Sequence, residues 1–209
     1  KRIHGVSHDG QRVWAATGAK LFAFDPASGQ ATRTLDCASD AGTAFDGTHL
    51  YQIAASRIDK IDPASGTVVA SIPAPGHGGD SGLTWAEGSL WVGQYLDRKI
   101  HQIDPATGAI LRTIESNRYV TGVTFVDGEL WHGTWEGEES ELRRLDPASG
   151  AVLERLAMPA GTGVSGLDLY VRHNGQVKWL ANGRPEKQTN EQALVNNWTG
   201  GEREHTPHP

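Results

Sequence analysis

The chain has 209 residues with a formal charge of -6, a single cysteine at position 37, and 37% hydrophobic residues. That length supports one domain burying roughly 70% of the surface its unfolded form exposes, with no disulfide or metal needed to hold it. Its acidic balance, with no Lys/Arg cluster longer than two, argues against nucleic acid, and no apolar run approaches the roughly 20 residues of a membrane span. The first residues, KRIHGVSHDG, contain no apolar signal core. A single cysteine does not distinguish a reducing from an oxidising compartment, and a cytoplasmic location is placed ahead of a periplasmic or secreted one.

Taken in chain order, three words recur. The first is a glycine leading a short alternating run: GVSHDG from Gly5, GTAFDG from Gly42, GLTWAEG from Gly82, GVTFVDG from Gly122 and GLDLYVRHNG from Gly166. Each predicts an innermost strand, and the pairs Asp9-Gly10, Asp46-Gly47, Glu87-Gly88 and Asp127-Gly128 predict a hairpin into the second strand. The second word is an apolar residue followed by an aromatic: Val13-Trp14, Leu50-Tyr51, Leu90-Trp91 and Leu130-Trp131, with a looser copy over Val177 to Trp179. The third is D-P-A-S/T-G, whose aspartates stand at positions 25, 62, 104 and 146, separated by 37, 42 and 42 residues. Proline presets φ, the aspartate accepts from nearby amides, and glycine tolerates positive φ, so the word is a tight turn between the third and fourth strands.

Four short antiparallel strands recurring about every 40 residues predict an all-β fold, a five-bladed β-propeller of four-stranded blades. A stacked β-solenoid is the alternative. The blades fall near 1–37, 38–75, 76–116, 117–159 and 160–182 or beyond, the first opening with its innermost strand at Lys1. The fifth is atypical, because its outer strands are not obvious. Residues 183–209 form a polar tail that either completes the last blade, through a strand at Gln192 to Trp198, or trails off.

The stretch GLTWAEGSLWVGQYLDRKIHQIDPATGAILRTI resembles blades of the propeller superfamily that includes virginiamycin B lyase and the plant-type glutaminyl cyclases, also called glutamine cyclotransferases. The resemblance covers residues 1 to about 183. It implies two chemistries, elimination that opens a cyclic ester or cyclisation of an N-terminal glutamine. It also sets His132 and Glu136 beside the lyase's pairing of a histidine with an acid.

The turns that link first to second and third to fourth strands belong to one face of a propeller. The second-to-third loops and the blade connections belong to the other. The first of these faces repeats itself, whereas the second varies. From the repeated aromatic to the repeat aspartate the spacing is 11, 11, 13 and 15, so blades three and four carry longer loops. The extra residues place Tyr95 and Trp135 at corresponding positions, and the blade connections add His77, Asp80, Arg118 and Tyr119. These, with Glu136, are expected to rim a ligand pocket.

His4 replaces the small residues Ala41, Ser81, Thr121 and Ser165 beside the channel and is a candidate ligand or base, and Asp168, standing where other blades have Ser7, Ala44, Thr84 and Thr124, is a second catalytic candidate, since a carboxylate there is costly unless paired or metal-bound. His132, after the repeated tryptophan, is expected to face the rim. Asp40 and Asp80, each two residues before an inner-strand glycine, suit an oxygen-loving Ca2+ or Mg2+. The expected function is small-molecule or peptide binding at the channel mouth, with metal-assisted lyase or cyclotransferase chemistry as its enzymatic form. The alternative is a non-catalytic propeller that takes a protein partner or a second copy of itself.

Overall fold

The computed structural model describes residues 3–137, 139–159, 163–171 and 177–184, with side chains to position 159 and at 163, 164, 166 and 167. Four complete four-stranded meanders appear. The first runs β1 (Gly5–His8), β2 (Val13–Ala16), β3 (Gly18–Phe24) and β4 (Ala31–Ser39). The second is β5 (Thr43–Phe45), β6 (Leu50–Ala54), β7 (Arg57–Ile61) and β8 (Val68–Pro73). The third is β9 (Asp80–Ala86), β10 (Ser89–Gln94), β11 (Lys99–Ile103) and β12 (Ile110–Glu115). The fourth is β13 (Tyr119–Val126), β14 (Glu129–Trp135), β15 (Glu141–Leu145) and β16 (Val152–Ala157). A fifth sheet has two described strands, β17 (Gly163–Val171) and β18 (Val177–Arg184). All pairings are antiparallel within each sheet, as in Trp91 opposite Thr84 on one side and Gln102 on the other.

Two boundaries differ from those read in the sequence. The innermost strand begins at Gly5 rather than Lys1. Four blades are complete where five were expected, and the fifth sheet is described only in its inner two strands. The expected strand at Gln192 to Trp198 and the rest of the tail beyond Arg184 lie outside the described residues.

The turns explain why these segments pair. In all four D-P words the glycine N–H donates to the aspartate carbonyl at 2.8 Å, and the glycines at 29, 66, 108 and 150 have φ of 70°, 78°, 76° and 75°. The aspartate Oδ1 accepts from the amide two residues on in each, at 3.0, 2.8, 2.8 and 2.7 Å. Backbone amides hold the four carboxyls below their usual range, chiefly that of Ser28 at Asp25 and Ser149 at Asp146, and those of Ala64 and Ala106 at Asp62 and Asp104. At Glu87-Gly88 and Asp127-Gly128 both turn residues have positive φ, the mirror-image geometry that matches strand twist.

The innermost strands β1, β5, β9, β13 and β17 stand side by side in that order, and β17 returns to β1. The leading glycines make this possible. A Cβ on Gly42 would lie 2.4 Å from Leu83 N, one on Gly82 2.5 Å from Val123 N, and one on Gly122 2.7 Å from Leu167 N. Backbones therefore touch where any side chain would hold them apart. Gly42 N also donates to Ser81 O across the first such contact at 2.8 Å.

Apolar side chains fill the spaces between sheets. Trp14, Leu21 and Leu35 meet Leu50 and Ile61 between the first two blades. Tyr51, Ile53 and Ile58 meet Leu83, Leu90 and Val92 between the second and third, and Trp91 and Ile100 meet Val120, Val123 and Leu130 between the third and fourth. Trp131 and Leu142 pack on Val164 and Leu167 of β17. The four repeated aromatics are at most 3% exposed, each stabilising the ring by roughly 2 to 3 kcal/mol through buried area.

Candidate functional site

Strand alternation puts the second-to-third loops and the blade connections at the ends opposite the D-P turns. In blade two the second-to-third loop is Ala55 and Ser56; in blade three it is 95–98, and in blade four 136–140. The longer loops lean on each other across the boundary between blades three and four. The Tyr95 and Tyr119 rings stack with centroids 4.8 Å apart and planes 21° apart, and the Arg98 guanidinium lies 4.2 Å from the Tyr119 ring centre. Arg98 Nη1 donates to Asn117 O at 2.8 Å and is 3.2 Å from Glu136 Oε1. That Glu136 oxygen also accepts from Tyr119 N at 3.2 Å. Burial, then the neighbouring Tyr119 and Glu136, raises the Tyr95 phenol above its usual range.

Around this stack stand two more arginines. Arg118 Nη2 is 3.3 Å from Glu139 Oε2 and 3.7 Å from Glu141 Oε1. Arg143 is buried, with Nε on Glu141 Oε2 at 2.8 Å and Nη1 on Asn117 Oδ1 at 2.6 Å. Trp135 pairs with Tyr119 across the β13–β14 ladder and is half-buried. Its ring lies where a Cβ on Gly163 would be 1.7 Å away, so it rests against the backbone of β17. Tyr95, Tyr119, Arg118, Trp135 and Glu136 are thus gathered on one face.

His77 and Asp80 form a neighbouring group at the boundary of blades two and three. Asp80 is buried, and its carboxylate accepts from Gly76 N at 3.0 Å. Burial raises it to about 6, against the opposing effects of the Gly76 N–H and His77. The Gln94 amide, turned so that its oxygen accepts from Gly76 N at 3.0 Å, donates to Asp97 Oδ2 and His101 Nε2, both at 3.3 Å. His101 Nδ1 in turn meets Thr113 Oγ1 at 2.8 Å. His77 is exposed with φ of 48°. Tyr95 N donates to Gly79 O at 3.2 Å, which ties this loop to the aromatic stack.

The remaining sequence candidates lie elsewhere. His4 lines the mouth of the central channel with the ring glycines and Ser81, as its position before Gly5 led us to expect. Among the described residues the cavity there is only about 10 Å³, room for about one water molecule. His132 is 1% exposed and does not face the rim. It pairs in the ladder with Val123 on one side and Arg143 on the other, Nδ1 is 3.2 Å from Gly133 O, and burial lowers it to about 4. Glu136 takes Arg98 and Tyr119 N instead of His132. Asp40 is exposed, with Oδ2 accepting from Ala55 N at 3.0 Å, and Asp80 takes Gly76 N. Among the described residues no three His, Cys, Asp or Glu side chains are grouped as a metal would need. The Asp168 side chain lies outside the described residues.

Arg98, Asn117, Glu139, Glu141, Arg143, Gln94 and His101 escaped the sequence reading. One signal was available for some of them. The third strands of blades two and four carry charge-reversed copies of one pair, Arg57 with Asp59 and Glu141 with Arg143, joined at 2.8 Å in both. In each the second member is the buried one. His101 holds the corresponding position in blade three.

No protein-family model matches the sequence, and neither does any curated protein. Solved structures do match in three dimensions. Glutaminyl cyclase of Myxococcus xanthus aligns over 86% of this chain and 85% of its own, with a TM-score of 0.70 and 14% identity. Kuenenia stuttgartiensis hydrazine synthase aligns over 89% of this chain and 58% of its own (TM-score 0.57, 18% identity). A chain of a mitotic checkpoint complex aligns over 86% and 57% (TM-score 0.54, 18% identity). Identities this low carry the fold and not the chemistry: the chain is a β-propeller of four-stranded antiparallel blades that resembles glutaminyl cyclase-like proteins in its arrangement.

Proposed function

We propose that the chain binds a small molecule or peptide on the loop face over blades three and four. The observation that carries this reading is the Tyr95–Tyr119 stack, joined to Arg98 and Glu136 across two blades beside Trp135. Aromatic side chains offer large rigid contact area at small entropic cost, and arginine adds directed donors, the composition that binding anchors share. The cavity at the glycine ring is about 10 Å³, so in this reading the ligand rests on the rim. The same reading takes β17 and β18 as the inner half of a fifth blade, which closes the ring and supplies the Gly163 surface under Trp135.

The test is an NMR titration of the full chain with a panel of blocked dipeptides, following the seven tryptophan indole N–H signals. Binding should move the Trp135 indole signal, and Trp135→Ala and Tyr119→Ala should each weaken it by about tenfold, close to 1.4 kcal/mol. Asp104→Ala, on the opposite face, should alter the melting temperature and leave binding unchanged. Shifts confined to residues around the D-P turns would place the site on the wrong face for this reading.

A further inference from the structure

The three arginines of the loop face differ in how well they are satisfied. Arg98 has a backbone carbonyl, a carboxylate and an aromatic ring. Arg143 has two contacts of 2.8 Å or less to Glu141 and Asn117. Arg118 has neither. Its partners are 3.3 and 3.7 Å away, and the nearer one, Glu139, is 77% exposed. The farther one, Glu141, is already held by Arg143. Arg118 Nη1 is buried and makes no hydrogen bond among the described residues.

The position of Glu139 makes it replaceable. It closes a tight turn in which Glu136 and Glu139 exchange backbone bonds at 2.8 and 3.1 Å, with Gly137 at φ of 65°. Those bonds hold the backbone without help from the Glu139 side chain. Removing that side chain from Arg118 therefore unties nothing else in the turn. A guanidinium holds a carboxylate best through short, directed donors, and Glu139 meets Arg118 through Nη2 alone, at 3.3 Å.

Resting on the ligand-binding reading above, we propose that Arg118 is an anion subsite for a ligand carboxylate, which displaces Glu139 and takes its place on Nη2 while its apolar part lies along Tyr119 and Trp135. Glu139 then acts as a built-in competitor that occupies the subsite until a ligand arrives. Glu136 and Glu141 remain nearby as fixed negative charges, so a singly charged carboxylate is accepted in preference to a doubly charged phosphate. The carboxylate can belong to a small acid or to the C-terminus of a peptide.

The test is a calorimetric titration of the full chain at low salt with N-acetylphenylalanine, N-acetylphenylalaninamide, acetyl-Ala-Ala-Phe acid and inorganic phosphate. The acids should bind about tenfold more tightly than the amide, and phosphate more weakly than the acids. Tighter binding of the tripeptide acid than of the single residue identifies a peptide terminus as the source, and equal binding identifies a small acid. Arg118→Gln should bring the acids to the level of the amide. Glu139→Gln should tighten the acids by about 3- to 10-fold without changing the amide, a gain that general loss of structure would not produce. If Arg118→Gln fails to fold, Glu139→Gln decides alone. Equal affinity for acid and amide, unchanged or weaker acid binding in Glu139→Gln, or no acid binding up to about 10 mM overturns the subsite. If acid and amide bind alike and both are lost in Trp135→Ala, the subsite fails while the ligand face stands. Acid selectivity that depends on Arg118 but ignores Trp135→Ala keeps the subsite and removes the aromatic face.

Discussion

Burial acts with opposite sign on Asp80 and His132. Asp80 is raised to about 6 from an ordinary 3.8, so between these values the folded chain holds a proton that the unfolded chain has released, and stability falls as pH rises. His132 is lowered to about 4 from an ordinary 6.5. Over that interval the unfolded chain binds the extra proton, so its contribution is present above pH 6.5 and is lost as pH falls toward 4. The two slopes oppose each other between about pH 4 and 6. Urea denaturation across this range should therefore show Asp80→Asn losing stability more steeply on acidification than the parent, by roughly 2 kcal/mol. His132→Gln, which installs the residue that blade two already buries at position 52, should instead gain relative stability on acidification. Parallel curves for all three proteins would refute the assignment of these two residues as the dominant buried titrating groups.

At the scale of the element, the four D-P turns look alike in sequence but do not sit in equal surroundings. Gly29 has positive φ and open space around its missing Cβ, whereas a Cβ on Gly108 would come within 2.7 Å of Pro73 O on the outer strand of the preceding blade. Gly66 and Gly150 face Leu35 and Ile114 in the same way, at 3.1 and 2.8 Å. Each turn after the first is thus a joint between blades as well as a hairpin. Gly29→Ala should cost about 1 kcal/mol, the backbone strain alone. Gly108→Ala should cost about 2 kcal/mol or more, since the same strain is joined by a clash with backbone. Thermal melting of the two variants side by side checks this, and equal losses would mean that the joint yields freely.

Over the whole molecule, closure depends on the glycine ring. The Cβ that Gly82→Ala would add meets Val123 N at 2.5 Å and Gly122 C at 2.8 Å, and those atoms cannot retreat without opening the contact between blades three and four. The corresponding Cβ on Gly166 finds its nearest atoms at 3.5 Å, ordinary contact distance. Gly82→Ala should therefore destabilise by about 2 to 3 kcal/mol, and Gly166→Ala by less than about 1 kcal/mol. Differential scanning calorimetry distinguishes them, and a Gly82→Ala variant as stable as the parent would show that the inner strands are not held in contact.

Much of this architecture is written in local words. A D-P-A-S-G turn works through amides two and three residues from its aspartate, and a tryptophan at a fixed strand position is buried whatever its neighbours are called. Such features survive reading one residue after another, which is why the strands, the turns and the buried aromatics were legible. The varying loop lengths likewise pointed to the face where Tyr95, Tyr119 and Trp135 gather. Other features exist only after the blades are set around an axis. Arg98 meets Tyr119 and Glu136 from the next blade, and Trp135 finds Gly163 on the sheet beyond its own. The mouth of the channel is lined by glycines about 40 residues apart in the chain, and His132, expected at the rim, is buried. Strand period and turn chemistry are short-range and belong to the sequence itself. Which charges meet, and which side chain is left half-satisfied at Arg118, depends on the spacing and rotation between blades, and those are settled by tertiary packing alone.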